Sequence, residues 1–486
     1  MDEVETADVA VIGGGPAGSV MASLCAKAGL STVLLERETS PRYRIGESLL
    51  PATLRQVLPL IGAQDAVDAE AYTVKRGATF CWGADKQDIW TLAFGPDQAD
   101  DPPVALNVDR ASFDEILLSS AQNCGATLRR GYDAVSVGDG NTQQGRSVTY
   151  SHRESGKQNA LRARFVVNAT GQMRLNIPEL DAREHSQFFR KVAVWGYWTG
   201  GGRLDAPLDG NVFFETLETE HGTAWVWYIP LRNGLTSVGV VAPRDCLAKL
   251  RVDPRAGLAN WLTTCPRITV LLRNATPAKH TPYDQVSLCA DYSYASNAFS
   301  APGVLQIGDA ACFVDVLLSS GVHLATYGAL LAARSIKATL SGAVPEDIAM
   351  AEYESRLRQE FSVFYAGLSG LYDMDKRSQD YVGWLRALLQ NSNGVLMEWG
   401  QTLDNPGGLN VGGASCSDAD LRTQAQRNLT MMRGYNSYQL AYDGPPKATP
   451  IAALPAIRNL LAIDERGEWI MPAHTPRTRP LATSDA

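Results

Sequence analysis

Apolar residues recur along this chain with two different periods. Asp8-Val-Ala-Val-Ile12 is a short β-branched run that stops at glycine, the pattern of a strand buried in a parallel sheet. Ser19 to Ala28 is spaced as a helix with Gly29 as its C-terminal stop, and Ser31-Thr-Val-Leu-Leu-Glu36 reads as a second strand ending in an acid. These elements predict a βαβ unit. From about 71 to 245 strand signals dominate: Val74 to Trp82 and Thr223 to Ile229 alternate, and Ser237 to Val241 is a third run. Gly- and Pro-rich breaks near 95–103, 137–145 and 200–210 separate them. Phe165 to Asn168 and Val304 to Asp309 each read as a strand that ends at a ligand crevice. From Glu346 the pattern is helical with aromatic punctuation (Tyr353, Phe361, Phe364, Tyr365, Tyr372, Trp384, Trp399). A Gly-rich loop beginning at Pro406 interrupts it, and the tail after His474 is expected to be poorly ordered.

Composition narrows the classes. The 486 residues are 45% hydrophobic and 20% charged, enough for a substantial core in about three domains, which excludes a disordered, collagen-like or coiled-coil chain. A net charge of −8 offers no global field for phosphate backbones, so no nucleic-acid partner is expected. Eight dispersed cysteines without a C-x-x-C read as buried thiols of a reducing compartment, and six histidines without H-x-x-x-H give no support for a metal site. The acidic N-terminal residues are unlike a secretory signal, and the most apolar stretch, Gly321 to Ile336, is too short to span a bilayer. A soluble, cytoplasmic protein with no membrane contact is expected.

The first chemistry-bearing motif is Gly13-x-Gly15-x-x-Gly18, between strand and helix, with Glu36 eighteen residues on. Its glycines allow a tight turn and close backbone approach, the helix N-terminus favours a pyrophosphate, and the acid suits ribose hydroxyls. Ala17 lies within the same turn. The motif alone does not separate NAD from FAD. Gly308-Asp309-Ala310-Ala311, after a second strand, resembles the second flavin signature of the FAD-dependent monooxygenase superfamily. Arg42-Tyr-Arg44-Ile-Gly46-Glu47-Ser48 and Val108-Asp-Arg110 stand where that superfamily places flavin-contacting residues. No second G-x-G-x-x-G follows, so electrons are expected from a partner or a transient cofactor.

Three further features point to the reaction. They are Ala224-Trp225-Val-Trp227-Tyr-Ile-Pro230, Lys75 in a strand where it shares a face with Gly77 and Thr79, and Ser319-Ser320-Gly321 opening a helix whose free N–H groups suit a small anion. On an FAD framework this set resembles the flavin-dependent halogenases over roughly residues 5 to 340. K-R-G-x-T-F together with G-V-H-L-A-T-Y is most similar to the subgroup acting on phenolic, tyrosine-type substrates, many of them tethered to a peptidyl carrier protein.

The resemblance implies a doubly wound α/β, Rossmann-type FAD domain (1–75, 104–175 and 286–345). A β-sheet substrate layer (76–103 and 176–285) is inserted into it, and a helical C-terminal region (346–486) follows. It implies FADH2 from a flavin reductase, oxygen and chloride, with Gly13, Gly15, Ala17, Gly18, Glu36, Arg44, Gly46, Glu47, Ser48, Arg110, Gly308 and Asp309 holding the flavin. Chloride is expected at Ser320 and Gly321. Trp225 and Trp227 would wall the flavin from the organic substrate, and Lys75 would deliver electrophilic chlorine to an electron-rich aromatic small molecule or a carrier-bound aminoacyl group. A lysine with an ordinary pKa of ~10.4 can hydrogen-bond hypochlorous acid as an ammonium, whereas a chloramine route is helped by desolvation; both remain open at this point. Two residues depart from the family pattern: Ala224 replaces a glycine, and Val316 stands where Asp-Pro is usual. The rival readings are an NAD(P)H-dependent aromatic hydroxylase and a non-catalytic flavin-binding protein.

Overall fold

The structure is a computed structural model, and it describes residues 4–372 apart from Pro41, 84–88 and 95–103, together with 462–463 and 469–470. Two large sheets organise it. In the first, Glu5–Ile12 lies between Gln158–Asn168 and Thr32–Glu36, all parallel, with Val304–Gln306 and Thr127–Arg130 extending the parallel core at either side. The inner strands are apolar over Val9 to Ile12, Val33 to Leu35 and Phe165 to Val167, all of them buried. Pro16–Lys27 and Ser320–Leu340 pack against each other, and Arg110–Asn123 joins Pro16–Lys27. This is the doubly wound α/β arrangement, and the ends of Glu5–Ile12 and Gln158–Asn168 open onto one crevice.

The second sheet runs, in spatial order, Thr276–Pro277, Lys191–Thr199, Leu235–Pro243, Gly222–Pro230, Val212–Thr219, Gly77–Cys81 and Ile89–Ala93. Its central strands are buried on both faces, and the alternation in Thr223 to Ile229 separates two cores rather than core from solvent. Trp225, Trp227 and Ile229 join the main core, while Ala224, Val226 and Tyr228 pack with Leu247, Leu250, Leu258 and Ile268 from short outer helices.

Three readings change. Val74 to Trp82 is not one strand. Thr73–Lys75 pairs with Ala105–Asn107, whereas Gly77–Cys81 enters the second sheet. Between them the Arg76 N–H bonds the side chain of Asn211 at 3.0 Å, which ends the ladder. Exposure still alternates through Val74, Lys75, Arg76 and Gly77, so the lysine is placed inward. Ser287–Ala290, assigned from sequence to the FAD domain, pairs with Lys191–Thr199 and belongs to the second sheet. The C-terminal region is not helical throughout: Ala462–Ile463 and Trp469–Ile470 pair as strands. Its described helix, Glu346–Leu371, packs on Ser320–Leu340 and contributes Tyr353, Leu357, Phe361 and Phe364 to the main core. Trp384, Trp399, the loop beginning at Pro406 and the tail after His474 lie outside the described residues. Among the described residues no helix is long and apolar enough to cross a membrane.

Candidate active site

A cavity of about 570 Å³ runs from the Gly-rich turn to the second sheet. At one end Gly13 has a φ of +108°, and a Cβ on it would stand 2.4 Å from the Ala169 carbonyl oxygen. A Cβ on Gly18 would meet the Gly13 carbonyl oxygen at 1.8 Å, so this glycine serves helix–strand packing. Gly15 differs. A Cβ there meets nothing within 4 Å, which leaves the backbone at the helix N-terminus bare toward the cavity. Glu36 accepts the Gly14 N–H at 2.6 Å and the Glu38 N–H at 2.8 Å, tying the second strand to the turn.

Arg110 forms a two-bond pair with Asp114 (2.8 Å each) and donates to the Ile45 carbonyl at 2.8 Å, fixing the stretch that carries Arg44, Gly46, Glu47 and Ser48 against the cavity. Burial raises the Glu47 carboxyl above the usual range, against a 2.5 Å hydrogen bond from Tyr197 that favours the carboxylate. Asp309, in the turn Gly308–Ala310, is raised to about 6 by burial, with Arg110 acting in the opposite sense. The Ser48 hydroxyl is buried on the cavity wall without a hydrogen-bond partner among the described residues. A bare helix N-terminus, an unsatisfied hydroxyl and a buried acid along one wall fit an extended dinucleotide such as FAD. Among the described residues no three His, Cys, Asp or Glu side chains gather as a metal site.

At the other end stand Trp225 and Trp227, with ring centroids 6.1 Å apart and planes inclined by 54°. The Trp225 indole donates to Tyr372 at 2.8 Å and that of Trp227 to Ser237 at 3.2 Å. Gly239, on the adjacent strand, makes room for the second ring: a Cβ there would lie 2.3 Å from it. Opposite runs the loop Asp315 to Gly321. Ser319 adopts a left-handed conformation (φ +57°) and introduces the helix Ser320–Leu340 without a side-chain cap. The Ser320 hydroxyl is directed to the Asp315 carbonyl at 3.4 Å, so what Ser320 and Gly321 can offer an anion is backbone N–H.

Lys75 is 1% exposed. Its Nζ donates to the Leu49 carbonyl at 3.1 Å and to the Ser319 hydroxyl at 3.3 Å, and lies 5.1 Å from the Phe94 ring centre. Burial alone pulls its pKa from 10.5 down to about 7, so a mixture of amine and ammonium exists near neutrality. Gly13, Gly15, Ala17, Glu36, Arg44, Gly46, Glu47, Ser48, Arg110, Trp225, Trp227, Asp309, Ser320 and Gly321 line the same cavity. Gly18 and Gly308 support it from behind, and Lys75 reaches it through Ser319. His323 bonds Glu360 at 3.0 Å and stacks on Tyr327, so it ties two helices together beneath the loop.

Some lining residues escaped the sequence reading. Trp195 lies on Lys191–Thr199, a strand whose Val-Trp-Gly-Tyr-Trp run was the available signal. Asp315 had drawn notice only for the valine that follows it. It is wholly buried, accepts the Leu317 N–H at 3.0 Å and the hydroxyls of Tyr372 (3.1 Å) and Tyr292 (3.4 Å), and burial raises it to about 6. No local spacing connects Asp315 with Tyr292 and Tyr372.

The sequence profile of the tryptophan halogenase family matches residues 8–101 and 98–391. A tryptophan 2-halogenase from Chondromyces crocatus is 31% identical over 391 residues, covering 80% of this chain and 72% of that protein. The flavin-dependent halogenase armH4 of Armillaria mellea is 34% identical over 396 residues, 77% and 73% of the two chains. Among solved structures, the myxobacterial chondrochloren halogenase CndH, described as a new variant of FAD-dependent halogenases, superposes with a TM-score of 0.77. It shares 32% identity, over 96% of this chain and 100% of that one.

Proposed function

The chain belongs to the tryptophan halogenase family of flavin-dependent halogenases, and from that premise we propose that it chlorinates an electron-rich, phenolic ring with FADH2, oxygen and chloride. The balanced conversion takes an aromatic C–H, chloride, a proton, oxygen and reduced flavin to an aromatic C–Cl, two waters and oxidised flavin. The flavin, when bound, supplies the oxygen activation that oxidises chloride.

In this reading each part of the cavity has a task. The Gly13–Gly18 turn, Glu36, Ser48 and Asp309 hold the dinucleotide, and Arg110 keeps the Arg44–Ser48 stretch in place. Backbone N–H groups at Ser320 and Gly321 hold chloride. Trp225 and Trp227 keep the organic substrate from the flavin and exclude water, so the oxidised halogen is carried onward rather than lost. Lys75 receives it. As an ammonium it donates a hydrogen bond to hypochlorous acid; as an amine it forms an N–Cl bond and releases water. A pKa of about 7 makes the second route available at neutral pH.

The observation that carries this reading is the burial of Lys75 with its Nζ 3.3 Å from Ser319, a residue of the cavity wall. The ring preference is taken from the K-R-G-x-T-F and G-V-H-L-A-T-Y motifs. A phenol supplies its own electron donation to the carbon that takes the chlorine. A flavin reductase is the source of electrons in this scheme.

The test is mass spectrometry of reactions with reduced FAD, oxygen and chloride, using free phenols, tyrosine and carrier-bound tyrosine. A chloride-dependent exchange of hydrogen for chlorine supports the reading, and the responding arm identifies the substrate form. Gain of one oxygen without halide would point instead to a hydroxylase.

A further inference from the structure

Asp315 is a buried carboxyl within the loop that introduces the halide helix, and the scheme above gives it no task. Its Oδ1 accepts the Leu317 N–H at 3.0 Å, which folds the side chain back onto its own loop. Its Oδ2 accepts from Tyr372 at 3.1 Å and from Tyr292 at 3.4 Å. Tyr372 in turn accepts the Trp225 indole N–H at 2.8 Å, so the carboxyl is joined to the indole wall. Lys191 sets a positive charge on the same side, its Nζ 4.8 Å from the Tyr372 ring centre. Lys75 meets the loop through Ser319, and Glu47 and Asp309 are further carboxyls on the cavity wall. Asp315, Val316, Ser319, Ser320 and Gly321 all line the one cavity.

An anion placed in that cavity meets a carboxylate in the same water-poor surroundings. Like charges there exclude one another, and the conflict is removed when the carboxyl takes a proton. The overall reaction also consumes one proton for each chloride.

Resting on the halide loop assigned above, we propose that Asp315 makes chloride binding proton-linked: its carboxyl takes up a proton as chloride enters, so the halide and the proton that the reaction consumes arrive together. Tyr372 and Tyr292, both donors to the carboxylate, are positioned to pass that proton on. Chloride affinity therefore falls as the carboxyl ionises.

The experiment measures proton uptake rather than turnover. Protein loaded with oxidised FAD, in weakly buffered gluconate at pH 7 and constant ionic strength, is titrated with potassium chloride. A pH indicator reports protons, and the flavin absorbance reports binding. Lys75→Met removes the titrating amine that meets the loop through Ser319. In that variant saturable uptake approaching about one proton per chloride is expected, and the apparent Kd should rise toward about tenfold per pH unit above about 6. Adding Asp315→Asn, which keeps an acceptor for Leu317, should abolish the uptake and leave the Kd within about twofold from pH 6 to 8. If the asparagine variant does not fold, Tyr292→Phe and Tyr372→Phe in the Lys75→Met background, which remove the donors to Asp315 and leave Asp309 and Glu47 untouched, should move the uptake to higher pH; an unmoved uptake overturns the assignment to Asp315. Saturation without uptake in Lys75→Met overturns the linkage and leaves the halide loop standing. Absence of saturable chloride binding in the native protein overturns the halide loop, and the linkage with it.

Discussion

Replacing Lys75 by methionine is a sharp perturbation because the two side chains are close in shape, and what is lost is the charge with its two hydrogen bonds. A lysine brought from 10.5 to about 7 by burial carries an electrostatic cost of about 5 kcal/mol, at ~1.4 kcal/mol per pH unit. The sign follows from proton counting. Between about 7 and 10.5 the unfolded chain holds a proton that the folded chain has released, so the lysine's cost is largest below about 7 and vanishes above 10.5. The native protein should thus gain stability relative to Lys75→Met as pH rises, by about 1.4 kcal/mol per unit through that window. The loss of the bonds to Leu49 and Ser319 adds a constant offset that does not change this slope. Urea denaturation of both proteins at pH 7, 8 and 9, without flavin, gives the difference. Parallel stabilities across that range would mean an ordinary lysine, and the availability of a neutral amine at pH 7 would fall with it.

Three substitutions separate scaffold from site. Gly15→Val has an open direction for its side chain, so stability should change little. The bulk would push a pyrophosphate off the helix N-terminus, and losing one or two charge-assisted hydrogen bonds (about 1.5–3 kcal/mol each) should weaken FAD binding at least about tenfold. A purified Gly15→Val protein with full flavin content would contradict the cavity assignment. Gly18→Val meets its own backbone and should reduce soluble, folded protein instead, as circular dichroism can check. Gly239→Ala should displace the Trp227 ring at a cost of about 1–3 kcal/mol, keep FAD binding, and lower the chlorinated product formed per flavin oxidised; unchanged coupling would remove Trp227 from the screen.

Much of the nucleotide end was legible in the sequence because its parts are consecutive: strand, Gly-rich turn, helix and Glu36 form one βαβ unit whose backbone roles are dictated locally. Trp225 and Trp227 were also readable, since period-two spacing puts both on one face whatever lies opposite. Lys75 was placed inward for a reason only partly right. Exposure alternates as expected through Gly77, but the strand breaks at Arg76 because Asn211, far along the chain, takes the backbone N–H. The Asp315 cluster was beyond reach. Its phenols come from Tyr292, in the loop after Ser287–Ala290, and from Tyr372, which the packing of Glu346–Leu371 on Ser320–Leu340 brings to the carboxyl. His323, beside the halide loop in sequence, has a packing role: Glu360 engages its ring nitrogen.

The most direct check on the route through the buried amine is the ratio of chlorinated product to flavin oxidised, measured side by side for native protein and Lys75→Ala with the same phenolic substrate. The native enzyme should convert a substantial fraction of its reduced flavin into product. The alanine variant should oxidise flavin at a similar rate and form essentially no carbon–chlorine bond. Comparable ratios for the two proteins would show that chlorine reaches the ring without the lysine.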